Sequence, residues 1–335
     1  MNIFFGLIII AIGAFCQSSS YVPINKIKSW SWESYWIVQG VFAWLLFPLL
    51  GALLAVPAGE SLWGLFASHP KESLLTMMFG VLWGVGGLTF GLSMRYLGVA
   101  LGQSIALGTC SALGAILGPV LTGRAADLTS AVIIGVIVTL VGIAIIGVAG
   151  AMKSASMPEE EKKKAVKDFN FGKGLFVAVL AGLMSACFNI GLSFGAPLTW
   201  AETKPIFASL PATLLVTCGG FLTNAVYCFS QNTKNKTWGD YKQTRVWSNN
   251  LVFCCLAGLL WYSQFFGLSL GKGFLVESPV LITFSWCILM SLNVVFSNVW
   301  GIILKEWKGV SRKTIAVLVS GLVVLIISTF LPQLL

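Results

Sequence analysis

Very little in this 335-residue chain can perform acid–base or metal chemistry. The only histidine, His69, stands beside Pro70 in a polar connection, so histidine catalysis and histidine metal sites have no material. The twelve acidic side chains, at 33, 60, 72, 127, 159, 160, 161, 168, 202, 240, 277 and 306, fall in connections or at the ends of apolar segments. The eight cysteines lie within apolar segments in no zinc or disulfide spacing and read as small buried hydrophobes. An enzyme is excluded on these grounds, and no cofactor or metal is expected.

What remains is uncharged and polar. Amides and hydroxyls both donate and accept hydrogen bonds, and an indole face covers the apolar side of a ring, which together suit a neutral polyhydroxylated solute. The candidates are Gln17, Ser20, Gln103, Ser104, Ser185, Asn189, Gln264 and Asn293, with Trp83, Trp261 and Trp286. Each has a plainer alternative. A serine hydroxyl bonds back to its own helix, and an amide bonds between helices. Trp30, Trp32, Trp36, Trp200 and Trp307 are expected in the interfacial belt. An ion coupled to the solute needs an ionisable group in the pathway, and Glu33 and Glu277 are the candidates. Both open apolar segments, where the helix dipole alone would favour a carboxylate. Sodium held by serine, asparagine and backbone carbonyls is the alternative to a proton.

These residues need a scaffold, and the composition says which kind. Hydrophobic residues make up 57% and charged residues 10% of the chain, against about 25% charged in soluble domains. Only lipid can cover so much apolar surface. The net charge of +9 then reflects basic residues gathered on one side of a bilayer and not a nucleic-acid partner. At roughly 20 apolar residues per span, ten spans are expected, near 3–22, 34–56, 73–93, 97–121, 131–150, 174–196, 206–230, 248–270, 278–303 and 314–333. The third and fourth are hinged at Ser93-Met94-Arg95-Tyr96. The opening MNIFFGLIIIAIGAFCQ has no basic residue ahead of it and a bulky Phe15 before Cys16, so it is expected to be a retained span and not a cleaved signal.

Connections after the odd-numbered spans hold 17 Lys and Arg residues and those after the even-numbered ones hold four: Lys71, Arg124, Lys204 and Lys272. This places the odd-numbered connections in the cytoplasm and both termini outside. The polar run 152–173, a cytoplasmic linker, separates a five-helix repeat at 1–151 from a second at 174–335. Five is odd, so the halves enter from opposite faces as inverted repeats. The tetrapeptides Gly80-Val81-Leu82-Trp83 and Gly258-Leu259-Leu260-Trp261 are a faint trace of that duplication. Spans 1, 3, 4, 6, 8 and 9 are expected to enclose the polar cavity. Spans 5 and 10, nearly free of polar groups, are read as lipid-facing or as the contact of a homodimer. Alternating access suits this layout better than a channel, for which no filter sequence or ring of charges is present.

Several segments resemble the bacterial L-rhamnose–proton symporter family: Tyr21-Val22-Pro23 with KIKSWSWESYW at 26–36, FGVLWGVGGLTFGLSMRYLG at 79–98, FNFGKGL at 169–175, GLLWYSQFF at 258–266 and LKEWKGVSRK at 304–313. The similarity runs nearly end to end. It implies the drug/metabolite transporter superfamily, with its two five-helix repeats, and uptake of L-rhamnose or a related deoxy-sugar across the bacterial inner membrane with a proton. A transporter of the same fold for another small polar solute, or one coupled to sodium, is the alternative.

Overall fold

The structure, a computed structural model, describes residues 3–97, 99–156, 170–305 and 307–335. Most of the 152–173 linker, including Lys162, Lys163, Lys164 and Lys167, and Glu306 of the KEW cluster lie outside the described residues.

Among the described residues, ten helices are long and apolar enough to cross a membrane. They are α1 (Ile3–Ile24), α2 (Trp32–Leu53), α3 (Pro70–Leu97), α4 (Val99–Leu121), α5 (Ser130–Ala155), α6 (Phe171–Phe194), α7 (Leu210–Asn235), α8 (Thr244–Phe274), α9 (Pro279–Ile303) and α10 (Arg312–Leu334). No strand occurs among the described residues. The chain is an all-α integral membrane protein, as expected of backbone that must satisfy its own hydrogen bonds in lipid. Helix starts follow local chemistry. Thr129, Ser278 and Ser311 each accept a backbone N–H three residues on, and Pro279 supplies a first helical residue whose missing N–H costs nothing.

The hinge expected at Ser93–Tyr96 is not there. Those residues are helical, α3 continues to Leu97, and α4 begins at Val99. Arginine is a good helix former, so a charge alone does not end a helix.

The described helices form two compact units that do not follow the halves of the chain. The first comprises Met1–Gly84 and Gly191–Val276, the second Val85–Ile190 and Glu277–Leu335.

In the first unit, glycines let backbones touch. Gly6 and Gly13 of α1 face Gly271 and Gly267 of α8 in antiparallel register. Gly80 of α3 lies on the Val216 backbone of α7, and Gly219 of α7 returns the contact against Met77 and Val81. Such small-residue seams replace the hydrophobic drive that helices lack in lipid.

Within this unit α2 departs from regularity: Val41–Leu46 is a π-helical segment, and the Phe47 N–H bonds Phe42 O, five residues back. Pro48 follows at once. It offers no N–H to the Trp44 carbonyl and its ring crowds that carbonyl, and the widened turn relieves the conflict. The segment carries Trp44 inward, with its ring folded against the α-carbon of Gly40.

In the second unit α5 and α10 pack along their length. Gly135, Gly142 and Gly321 seat Pro332, Leu325 and Ile146, and the buried Thr139 Oγ1 donates to Ser328 Oγ at 3.1 Å. Ile143, Ile146, Val294, Val295, Leu318 and Leu325 close the core around that seam. The faces of α5 and α10 that bear glycine and hydroxyls are thus occupied by each other. Outward they turn exposed branched aliphatics such as Ile137, Val141, Val148, Val323 and Ile327.

Candidate functional site

The first unit holds a continuous aromatic row. Trp36 meets Trp44 edge-on at 5.6 Å. Trp44 stands nearly perpendicular to Trp83 at 6.0 Å and to Trp261 at 5.9 Å. Trp83 and Trp261 lie 5.6 Å apart, inclined by 37°, and Trp261 continues to Phe265 at 5.2 Å. Two of the expected ligand tryptophans therefore come together, joined by one the sequence reading passed over. Trp36, expected in the belt, instead donates its indole N–H to Asn224 Oδ1 at 3.0 Å and extends the row.

Three buried polar atoms on α2 and α8, the helices that carry Trp44 and Trp261, lack protein partners. Trp44 Nε1, Gln39 Oε1 and the Tyr262 hydroxyl make no hydrogen bond, although the residues are only 3%, 2% and 4% exposed. A buried polar group left unpaired costs about 1–3 kcal/mol. Three such groups on α2 and α8 are a liability unless a bound molecule pairs with them. The Tyr262 hydroxyl lies against the bare α-carbon of Gly51, and Gly258 brings α8 onto Phe42 and Ala43 of the π segment. Gln264 is buried where α8 meets Gly13 of α1 and donates from Nε2 to Trp261 O at 3.2 Å. Gln17 is half-buried on α1, and Ser20 is buried where the α1 helix breaks before Tyr21.

In the second unit the expected residues mostly tie helices together. Trp286 of α9 is buried, donates its N–H to Cys110 O at 3.2 Å, stacks on Phe188 and presses on the α-carbon of Gly114. Asn189 of α6 donates to Gly114 O at 2.8 Å. Ser104 rests on Gly147 of α5, and Ser185 on Gly86 of α3. These contacts fit the interhelical alternative for amides and hydroxyls. Gln103 and Asn293 are half-buried on α4 and α9.

Glu277 is exposed just ahead of α9, whereas Glu33 is buried at the start of α2. Glu33 Oε1 accepts from Asn235 Nδ2 at 3.0 Å and Thr237 Oγ1 at 2.8 Å. Beside it, Asp240 in the α7–α8 connection is also buried. Asp240 Oδ2 accepts from the Ser31 amide at 2.8 Å and the Ser31 hydroxyl at 2.6 Å, and Oδ1 accepts from Gln243 Nε2 at 3.1 Å. Burial pushes the Asp240 carboxyl up, but hydrogen bonds from the Ser31 side chain and backbone and from Ser34 outweigh it and hold the group below its ordinary 3.8.

Comparison with known proteins agrees in length as well as in pattern. Residues 1–334 match the family model described as L-rhamnose-proton symport protein. The chain is 33% identical over 345 residues to the L-rhamnose-proton symporter of Klebsiella pneumoniae subsp. pneumoniae, covering 98% of this chain and 95% of that protein. It is 32% identical over 340 residues to the L-rhamnose-proton symporter of Yersinia pestis, covering 97% and 96%. The same name, identity and coverage hold for the relative from Yersinia pseudotuberculosis.

Proposed function

Because the chain belongs to the L-rhamnose-proton symport protein family, we propose that it carries L-rhamnose inward across the bacterial inner membrane together with a proton. Transport proceeds by alternating access. The family is one of transporters and not of enzymes. The charge count supports an orientation with both termini outside and the odd-numbered connections in the cytoplasm. An inverted five-helix repeat is supported by the antiparallel seam of α5 and α10, the last helices of the two halves.

The observations that carry the sugar site are the indole row and the three unpartnered polar atoms on α2 and α8, one of them in the row itself. A 6-deoxy-hexose has an apolar C–H face and a methyl group together with ring hydroxyls. Indole walls cover the first, and a sparse set of donors and acceptors serves the second. We assign contact with the sugar to Trp83, Trp261 and Gln264, and add Trp44, Gln39 and Tyr262. Trp44 Nε1 donates to a hydroxyl, Gln39 Oε1 accepts from one, and the Tyr262 hydroxyl does either. Gln17 and Ser20 line the same unit from α1. Trp286, Asn189 and Ser104 act in helix packing.

Ligand-dependent melting of the purified protein tests this reading, since a molecule bound only by the folded state stabilises it by about 2.7 kcal/mol at a hundredfold excess over Kd. The midpoint should rise with L-rhamnose and stay fixed with sorbitol, which has hydroxyls but no ring. A midpoint indifferent to L-rhamnose, or raised equally by both, contradicts it.

A further inference from the structure

Among the described residues, Glu33 and Asp240 are the only buried charged side chains, 5% and 9% exposed. They form one cluster, joined through Ser31: its hydroxyl donates to Asp240 and lies 2.9 Å from Ser34 Oγ, one residue beyond Glu33. No cation of the described residues bonds either carboxylate. The basic residues nearby in sequence, Lys26, Lys28, Lys234, Lys236, Lys242 and Arg245, are all exposed. Partners of the carboxylates among the described residues are neutral: Ser31, Ser34, Asn235, Thr237 and Gln243.

Hydrogen bonds offset the desolvation of these two charges, but no cation of the described residues balances them, and two like charges side by side disfavour each other's ionisation. A third acceptor deepens the imbalance. Asn232 is wholly buried; its amide nitrogen donates to Tyr241 OH at 3.0 Å and reaches Ser34 Oγ at 3.5 Å, while its Oδ1 finds no donor. Among the described residues the cluster is rich in acceptors and holds no cation. Helix-terminal stabilisation does not account for it. One exposed carboxylate would satisfy the α2 dipole, whereas here two are buried, and the second comes from a different element.

We infer that this cluster at the cytoplasmic end of the first unit is where the coupled proton resides, carried on Glu33 with Asp240 as its fixed negative neighbour. The inference rests on the proton-coupled reading given above. Both side-chain donors to Glu33 land on Oε1, and its own backbone N–H also bonds the carboxylate, so the proton is assigned to Oε2, the oxygen without a side-chain donor. Binding forms one O–H bond and neutralises one of the two charges, and release to the cytoplasm restores it. Asp240, held by Ser31, Ser34 and Gln243, stays ionised through the cycle and favours protonation of its neighbour. The other titratable groups packed here are Tyr241 and Cys228, a phenol and a thiol whose ordinary forms at neutral pH are uncharged. The cluster clamps the start of α2 to the end of α7, so protonation changes the hold on the helix that bears Gln39 and Trp44.

The test is sugar accumulation in proteoliposomes under an imposed pH gradient. One pH unit supports about tenfold accumulation at one proton per sugar. Wild-type protein should reach that level, while Glu33→Gln, which keeps an acceptor for Asn235 and Thr237, should only equilibrate the sugar to a ratio of about 1. Asp240→Asn removes the neighbouring charge and should shift the pH profile of uptake to lower pH, which a purely structural role would not do. It supplies the test should Glu33→Gln not fold. Wild-type accumulation matched by Glu33→Gln, or an unmoved profile in Asp240→Asn, overturns the assignment. Accumulation driven by a sodium gradient and not by pH overturns the proton. If the wild type accumulates no L-rhamnose under either gradient, the transport reading itself falls.

Discussion

Trp83 and Trp261 meet with ring centroids 5.6 Å apart and planes inclined by 37°, and each closes a tetrapeptide that begins with glycine, Gly80 to Trp83 and Gly258 to Trp261. The two glycines do the same work. Gly80 lets α3 sit on the α7 backbone, and Gly258 lets α8 sit on the π segment of α2. Three residues later each helix delivers an indole to the same place.

Loss of one indole should therefore weaken the sugar and spare the fold. Trp261→Ala is expected to raise the Kd for L-rhamnose about tenfold, the equivalent of about 1.4 kcal/mol, with helix content by circular dichroism unchanged. The polar atoms should behave differently. Gln39→Leu and Trp44→Phe remove buried unpaired groups while keeping much of the shape, so their sugar-free melting midpoints should hold or rise. Their affinity for L-rhamnose should nevertheless fall by about tenfold, for one neutral hydrogen bond of about 1 kcal/mol plus lost fit. An unchanged affinity in both would remove them from the site.

Glycine contacts give a sharper stability contrast. A methyl group at Gly80 would run into Val216 main-chain atoms, which cannot turn aside, whereas nothing lies within 4 Å of a methyl group at Gly87 on the same helix. Gly80→Ala should cost about 1–3 kcal/mol, and Gly87→Ala should be neutral or gain up to about 1 kcal/mol from helix propensity. Melting in detergent without ligand compares the two directly, and equal midpoints would contradict the α3–α7 seam.

Asp240 makes a pH prediction with a definite sign. Its folded carboxyl titrates below the ordinary 3.8, so the unfolded state binds its proton first as pH falls. The contribution to stability is complete above 3.8 and is lost as pH drops from there through the lower folded value. The melting gap between wild type and Asp240→Asn should stay constant from pH 7 to about 5 and narrow below about pH 4. A gap that widened on acidification would reverse the assignment of Asp240 as an ionised acceptor.

What could be read from the chain alone follows from what lipid demands. Ten apolar runs of spanning length mark ten helices because no other structure satisfies the backbone there. Trp83, Trp261 and Gln264 stood out because they are polar or aromatic residues deep in those runs. Trp44 did not, since its inward turn depends on Pro48 widening the helix ahead of it, an effect no 3.6-residue periodicity captures. Gln39 was hidden likewise, two residues before the same segment. Asp240 in KTWGDYK looks like an ordinary loop acid, and only the return of Ser31 from 209 positions away buries it. The turn after α3 was misplaced because Arg95 resembles an interruption, yet the backbone stays helical through it. Trp286 and Asn189 looked as available as Trp261, but Cys110 and Gly114 carbonyls of α4 take up their N–H groups, which sequence spacing does not reveal.

The most direct test is uptake of labelled L-rhamnose into proteoliposomes holding the purified chain, with the lumen one pH unit more alkaline than the bath. Proton-coupled transport predicts accumulation to about tenfold above the bath, collapse to about 1 on addition of a protonophore, and alkalinisation of the bath when L-rhamnose is added without a gradient. Entry that never exceeds the bath concentration, or accumulation that survives the protonophore, would contradict it.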